Sequence, residues 1–314
     1  MKVFFIDKVH PILQERLTRN GFDCIDATNF SMEELLMHQH EVQGIVIRAR
    51  FLLNAECLSN FPNLSFIARS GSGLENIDSA YCMAHNIHLF NSPEGNRNAV
   101  AEHALGMLLA LMNKLCKANE QINRGVWKRE ENRGEELDGK TIGIIGYGNN
   151  GAAFAKKLRG FDVKVLAYDK YKQGFGDAFV QESTLEAIYN SADVVSLHIP
   201  QNKETLFYVN EAFISSFKKP FYLLNLSRGK IVHTESLVKA LESKQIKAAG
   251  LDVLEYESKD FESIFAHQLP AAFQYLLTSD RVLLSPHVGG WTKESYFKLS
   301  DVLADKIISC YQHQ

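Results

Sequence analysis

Three glycines and an aspartate carry the first chemical signal in this chain. They are Gly146-Tyr147-Gly148-Asn149-Asn150-Gly151, with Asp169 eighteen residues further on. Glycine triplets arise by chance, so the flanks decide. Thr141–Ile145, before the triplet, is an apolar, β-rich run that reads as a buried strand. Ala152, Ala153, Phe154, Ala155 and Leu158 suit a helix packed closely on a sheet, and Val163–Tyr168 reads as a second strand ending at Asp169. In that setting Gly146 permits the turn, Gly148 leaves room for a pyrophosphate and Gly151 lets the helix approach the strand. The helix start, with Asn149 and Asn150 in its first turn, presents N–H groups and a positive dipole end to phosphates. Asp169 accepts hydrogen bonds from ribose hydroxyls and repels a 2′-phosphate. The expected cofactor is NAD rather than NADP, a preference that Lys170 and Lys172 nearby weaken.

Three later stretches hold further candidates: Leu224-Asn225-Leu226-Ser227-Arg228-Gly229, Gly250-Leu251-Asp252-Val253-Leu254-Glu255-Tyr256-Glu257 and Ser285-Pro286-His287-Val288-Gly289-Gly290. Each places charged or titratable groups just past a predicted strand, where open α/β sheets bind ligands.

These residues need a scaffold, and the chain supplies one. Strand-like and helix-like segments alternate, which implies α/β architecture with largely parallel sheets. Strands are expected at Lys2–Ile6, Phe22–Asp26, Gly44–Arg48, Leu64–Ala68 and Ile87–Phe90, separated by helices from about Pro11 and at Ser31–His38, Asn54–Asn60 and Glu75–Ala84. Asn91–Asn96 reads as a breaker cluster and hinge. A long, broadly apolar helix is expected over Ala99–Arg124, buried between domains or against another subunit. Gly125–Asp138 reads as a polar loop or arm anchored by Trp127. Further strands follow at Asp193–His198, Phe221–Leu226, Ala248–Asp252 and Val282–Ser285, and Thr292–Tyr311 is a final helix.

Composition bounds the rest. The 314 residues suffice for two domains, and 46% hydrophobic residues allow a substantial core. A net charge of −3 gives no footprint for nucleic acid or an anionic membrane. No apolar run is long enough to predict a membrane-spanning helix. The apolar start is broken by Asp7, Lys8 and His10, which favours a first strand over a signal peptide. Five scattered cysteines without a C-x-x-C predict reduced thiols in a cytoplasmic protein, with no disulfide framework and no metal site.

Taken in order, several dispersed motifs resemble the D-isomer-specific 2-hydroxyacid dehydrogenase family over nearly the whole chain. They are Asn91-Ser92-Pro93 with Val100-Ala101-Glu102, Glu136-Leu137 with Gly139-Lys140-Thr141, the glycine fingerprint, His198 and Pro200 with Thr205, and the three stretches quoted above. The resemblance implies two Rossmann-like or flavodoxin-like parallel-sheet domains separated by an active-site cleft. Residues 1–96 with 290–314 would form a discontinuous substrate-binding domain, and 97–289 the NAD-binding domain. It adds His198, Pro200, Ser227, Asp252, Gly289 and Gly290 to the cofactor contacts. It also implies a homodimer through the 99–124 region and hinge closure around Asn91–Asn96 and Pro286–Gly290.

By the same resemblance Arg228, Glu257 and His287 form the catalytic set of an NAD-dependent oxidoreductase, and the chemistry agrees. Arginine grips a 2-oxo acid's carboxylate with a forked pair of hydrogen bonds and polarises its carbonyl. Histidine exchanges a proton near neutral pH, and a carboxylate orients its ring. Glu255 competes with Glu257 for that last role; the family's spacing from Asp252 selects Glu257. His103 is a rival histidine, read as packed or interface-forming within the long helix. A non-catalytic, corepressor-like scaffold is the competing class, but it has no chemical need for all three residues.

For the substrate, Arg48 and Arg69 end first-domain strands at positions similar to those that contact phosphate in phosphoglycerate dehydrogenases. Ser70, Gly71, Ser72 and Gly73 resemble the family's substrate loop, whose N–H groups can nest a carboxylate. The leading expectation is 3-phosphoglycerate/3-phosphohydroxypyruvate, the serine-biosynthesis pair, with Arg50 as a third candidate contact. Glyoxylate, hydroxypyruvate or another small 2-oxo acid is the alternative. Three features depart from the family pattern. Asn150 stands at an often apolar position. Trp291 stands where relatives carry a small residue, able to narrow the site or cover the nicotinamide. Ser258–Asp280, with Phe261, Phe265, Phe273 and Tyr275, is long enough for a lid or interface element. No serine-sensing C-terminal domain is expected after the final helix.

Overall fold

The computed structural model describes residues 1–257 and 270–311. The chain divides into two units, Met1–Arg97 with Trp291–Gln314, and Asn98–Gly290.

Apolar residues on consecutive positions build the first unit, because a strand buried on both faces sends neighbours to opposite sides. Its elements are β1 (Lys2–Phe5), α1 (Ile12–Arg19), β2 (Asp23–Asp26), α2 (Met32–Met37), β3 (Gly44–Ile47), α3 (Ala55–Leu58), β4 (Phe66–Arg69), α4 (Ser79–Ala84) and β5 (His88–Asn91). All strands are parallel, in the order β2-β1-β3-β4-β5. Phe4, Ile45, Ile47 and Ile67 pack on one face against Leu35, Leu58 and Cys82. Val3, Phe5, Val46, Phe66 and Ala68 pack on the other. Local signals agree with the fold: α2 starts at a capping box, Ser31 Oγ accepting from Glu34 N at 3.1 Å and the Glu34 carboxylate accepting from Ser31 N at 2.7 Å.

The chain continues through α5 (Pro93–Met112) and α6 (Leu115–Asn123) into β6 (Thr141–Ile145), α7 (Asn149–Lys157), β7 (Lys164–Tyr168), β8 (Val180–Glu182), α8 (Leu185–Ser191) and β9 (Val194–Leu197). Then come α9 (Glu211–Ser215), β10 (Phe221–Asn225), α10 (Thr234–Glu242), β11 (Ile246–Leu251), α11 (Ala271–Thr278), β12 (Val282–Leu284) and α12 (Lys293–Tyr311). The second sheet is also parallel, in the order β12-β11-β10-β9-β6-β7-β8. Strand order reverses beside β6, the topological switch point where doubly wound sheets take a dinucleotide. Leu303, Ala304, Ile307 and Ile308 of α12 return to the first unit, against Leu13 and Leu17 of α1.

Four expectations need correction. The single helix over 99–124 is two helices, bent by 61°, with Lys114 in the left-handed region (φ 51°) at the break. The breaker cluster is helical from Pro93 onward, since proline suits a first turn where its missing N–H has no partner to lose. Trp127 anchors nothing within the chain, being 78% exposed; Leu137 is the buried residue of that segment. In the long insertion, Phe261 and Phe265 lie outside the described residues, but Phe273 and Leu276 of α11 are buried in the second unit's core. That half is a packed element rather than a lid. Among the described residues, no single helix is long and apolar enough to cross a membrane.

Candidate active site

The glycine loop follows from three steric demands. Gly146 has φ +93°, and a Cβ there would sit 2.5 Å from His198 O. A Cβ at Gly151 would overlap Gly146 O, so α7 approaches the strand end only because the residue is glycine. At Gly148, the N-cap of α7, a Cβ would meet nothing within 4 Å. Glycine there keeps open the space that the fingerprint reserves for a pyrophosphate. Asn149 and Asn150 form the first turn of α7, and Asn150 Oδ1 is buried with no hydrogen-bond partner.

Asp169 closes the other side of the loop. One carboxylate oxygen accepts from Tyr147 N at 2.8 Å, the other from Tyr171 N at 2.9 Å and Lys172 N at 3.0 Å. Burial pushes its pKa up, but the three N–H donors outweigh it and hold the group below its ordinary value. Lys170 is engaged elsewhere, 2.5 Å from Glu204, and Lys172 Nζ donates to Tyr147 O at 3.3 Å. The Lys172 charge also lowers the Asp169 pKa, but among the described residues neither lysine forms an ion pair with that carboxylate, so a negative charge stands where the ribose hydroxyls of a dinucleotide fit. The donor set suits NAD. His198 is one of the expected cofactor contacts. Its ring lies 2.8 Å from Ser196 Oγ and against Phe154, where burial lowers its pKa to about 4, and its carbonyl borders Gly146. Pro200 is exposed.

Arg228, Glu257 and His287 lie just beyond the carboxyl ends of β10, β11 and β12, three neighbouring strands. His287 Nδ1 and Glu257 Oε2 are 2.9 Å apart, with side chains 25% and 16% exposed. The other Glu257 oxygen accepts from Leu254 N, which fixes the carboxylate. Glu255 is committed elsewhere, accepting from Thr234 N at the start of α10. The Glu257 contact is made through Nδ1, on the opposite side of the ring from Nε2. Buried Asn225 accepts from Ser227 N and Oγ and donates to Arg228 O, shaping the arginine's turn. Arg228 Nη1 donates to Ser227 O at 2.7 Å. A Cβ at Gly229 would overlap Leu254 O, so the turns of Arg228 and Glu257 are in direct contact.

His287 itself has φ +54°, a strained value for a non-glycine residue. Asp252 holds it there. The Asp252 carbonyl accepts from His287 N at 2.8 Å. Its carboxylate, 2% exposed as a residue, accepts from Ser285 Oγ at 2.6 Å, Val288 N at 2.9 Å and Gly289 N at 2.8 Å. Asp252, one of the expected cofactor contacts, grips this loop, and a Cβ at Gly289 would lie 2.7 Å from that carboxylate. His103 Nε2 completes the network, 3.0 Å from Ser285 Oγ and 3.6 Å from Asp252 Oδ1. His103 is expected from the sequence to be packed or interface-forming; its polarity on an otherwise apolar helix face is the signal for this network.

The first unit's candidates are arranged differently. Arg69 is only 8% exposed, and its guanidinium is largely occupied: Nε donates to Arg48 O at 3.0 Å and Asn76 Oδ1 at 3.2 Å, Nη1 to Gly73 O at 2.9 Å. Of the loop N–H groups, Ser70 donates to Ile47 O and Gly71 to Arg69 O. The nest expected over 70–74 is thereby reduced to Ser72, Gly73 and Leu74. Ser72 Oγ donates to Asn96 Oδ1 at 2.7 Å. Arg50 donates to Ile6 O and Thr28 O. Trp291 lies beneath Arg48, whose Cζ is 4.2 Å from the ring centroid.

This fold and this constellation define a class, and comparison with known proteins names it. The chain belongs to the D-isomer specific 2-hydroxyacid dehydrogenases: residues 105–289 match that family's NAD-binding domain. It is 30% identical over 311 residues to D-3-phosphoglycerate dehydrogenase of Archaeoglobus fulgidus, covering 98% of this chain and 57% of that protein. It is 32% identical to hydroxypyruvate reductase of Thermotoga maritima, covering 90% and 89%. Among solved structures, D-lactate dehydrogenase of Aquifex aeolicus, complexed with NAD and lactic acid, superposes with a TM-score of 0.83 at 27% identity, covering 100% and 96%. The chain therefore spans little more than half the length of the first relative and most of the other two.

Proposed function

We propose that this chain is an NAD-dependent D-2-hydroxyacid dehydrogenase acting on 3-phosphoglycerate/3-phosphohydroxypyruvate. The observation that carries the activity is the His287–Glu257 pair at 2.9 Å, on strand ends next to the Arg228 turn and on the NAD-binding unit. Bound NAD supplies or accepts the hydride at the carbon bearing the hydroxyl. Arg228 holds the carboxylate and polarises the adjacent carbonyl. His287 Nε2 donates a proton to the carbonyl oxygen in reduction and removes it in oxidation. Glu257 orients the imidazole and stabilises its protonated form.

Arg48 supports the phosphorylated substrate. The alternative, glyoxylate or hydroxypyruvate, is favoured by one observation: Arg69 is already engaged by protein oxygens, so one arginine fewer is offered to a phosphate. Exposed Leu115, Ile122 and Trp127 support a homodimer through the α5–α6 region, and five free cysteines support a cytoplasmic location. The test is NADH oxidation with phosphohydroxypyruvate, hydroxypyruvate and glyoxylate. Turnover of none of these or other 2-oxo acids by a protein that still binds NADH would leave the scaffold reading. A higher kcat/KM for glyoxylate would overturn the substrate assignment.

A further inference from the structure

Arg48 is held at every point except the edge of its guanidinium. Its backbone N–H, with those of Ala49 and Arg50, donates to one oxygen of Asp7 at 2.7, 3.0 and 3.1 Å. Its carbonyl accepts from Arg69 Nε at 3.0 Å and Asn76 Nδ2 at 3.4 Å. Buried Arg69 thus serves as a strut for the turn that carries Arg48. The guanidinium lies face-on over Trp291, 4.2 Å from the ring centroid, and the indole packs on Tyr296 at 5.8 Å. Stacking occupies the flat face of a guanidinium and leaves its in-plane N–H donors to make hydrogen bonds.

We infer that Trp291 is a specificity-determining residue that presents Arg48 to an anionic group of the substrate, a phosphate monoester in the function proposed above. The inference rests on that reading for the identity of the anion, and on the Arg48–Trp291 geometry for the site. An arginine on a flexible stem loses rotamer freedom when it binds; one already stacked loses less, so its grip on a phosphate is tighter. The indole is 50% exposed, so it has not been buried merely to fill a core. Its place directly after Gly289-Gly290 gives the chain a large ring where the family resemblance predicts a small residue. Arg69, by contrast, contacts Arg48 through the backbone, its Nε donating to Arg48 O.

The experiment compares Trp291→Leu, Trp291→Phe, Arg48→Gln and the double variant Trp291→Leu/Arg48→Gln. Initial rates are taken with phosphohydroxypyruvate and glyoxylate. An exposed cation–π contact corresponds to a change of about fivefold. Trp291→Leu is expected to raise KM for phosphohydroxypyruvate by about that factor, leaving kcat and the glyoxylate KM within about twofold, with Trp291→Phe intermediate. In the Arg48→Gln background the leucine substitution should add nothing. An equal rise for both substrates, no rise, or an undiminished effect in that background overturns the inference while leaving the dehydrogenase assignment intact. A second readout is independent of turnover: indole fluorescence titrated with inorganic phosphate. A saturable change, lost in both Trp291→Phe and Arg48→Gln, is expected. If the wild type shows no preference for the phosphorylated substrate, the substrate reading fails. The titration then decides the site alone: a saturable change upholds it for another anion, and none overturns it.

Discussion

The two units use their strand ends in opposite ways. At the carboxyl ends of β10, β11 and β12, ionisable groups meet ionisable groups: His287 with Glu257, and His103 with Asp252 through Ser285. At the carboxyl ends of β3 and β4, arginines meet neutral oxygens and rings: Arg69 with carbonyls and an amide, Arg50 with carbonyls, Arg48 with an indole. The difference matches what the proposed function asks of each set. Moving a proton requires a partner that stabilises the charged intermediate. Recognising an anion requires a cation whose charge has not been cancelled by a carboxylate.

The contrast can be broken most severely at His287. His287→Ala should lower kcat by about a thousandfold, within the usual range for loss of a general acid, while NADH binding persists. Retention of more than a tenth of the wild-type kcat would remove the pair from the mechanism.

Acid sharpens the contrast next, because the arginines do not titrate whereas His198, in the second unit, does. Its pKa is lowered to about 4 by burial. Unfolding restores a value near 6.5, so between those limits the unfolded chain binds the extra proton. The contribution is full above pH 6.5 and lost as pH falls to about 4, amounting to at most about 3 kcal/mol. Denaturant midpoints measured across that window should fall in the wild type and fall less in His198→Phe. Parallel profiles would show that the ring does not govern acid stability.

Arg69→Met separates support from recognition. It should destabilise the first unit by about 2 kcal/mol, since several buried oxygens lose their donor, and raise KM for all substrates alike. A KM effect confined to the phosphorylated substrate, without loss of stability, would return Arg69 to the anion site. The smallest effect belongs to Ser285→Ala. Loss of one hydrogen bond to the Asp252 carboxylate should cost about 1.5 kcal/mol and lower kcat severalfold by loosening the His287 loop. Unchanged kcat would mean that Val288 and Gly289 N–H groups alone hold it.

The strands were legible because both faces are buried, so β1, β3, β4, β6 and β9 read as continuous apolar runs. The short edge strand β8, two of whose three residues are exposed, carries no such run and went unpredicted. Helix ends near Pro93 and Lys114 were misread for a related reason: a proline is compatible with both a loop and a first turn, and Lys114 gives no composition signal for its left-handed backbone. In the site, residue types announced the imidazole, carboxylate and guanidinium. The allocation of partners came only from the spacing of the family resemblance, which selected Glu257 over Glu255. Glu255 and Glu257 are chemically identical, and the geometry brings only the second to His287. Likewise Arg48 and Arg69 look equivalent in sequence but differ completely in the company they keep.

Finally, α12 imposes an order of events on synthesis. The last helix supplies Leu303, Ala304, Ile307 and Ile308 to a sheet whose β1 begins at Lys2, and Arg16 pairs with Asp301 and Asp305 at 2.6 and 2.5 Å. A nascent chain can gather all seven strands of the second sheet before this helix emerges, but the first sheet must wait with one apolar face uncovered. The sheet made earlier is therefore finished after the one made later, and the interval is when it is most exposed to aggregation. A chain ended at Gly290 should give a protease-resistant second unit and a first unit that is readily digested. Equal resistance of both would show that α12 is dispensable for closing the sheet.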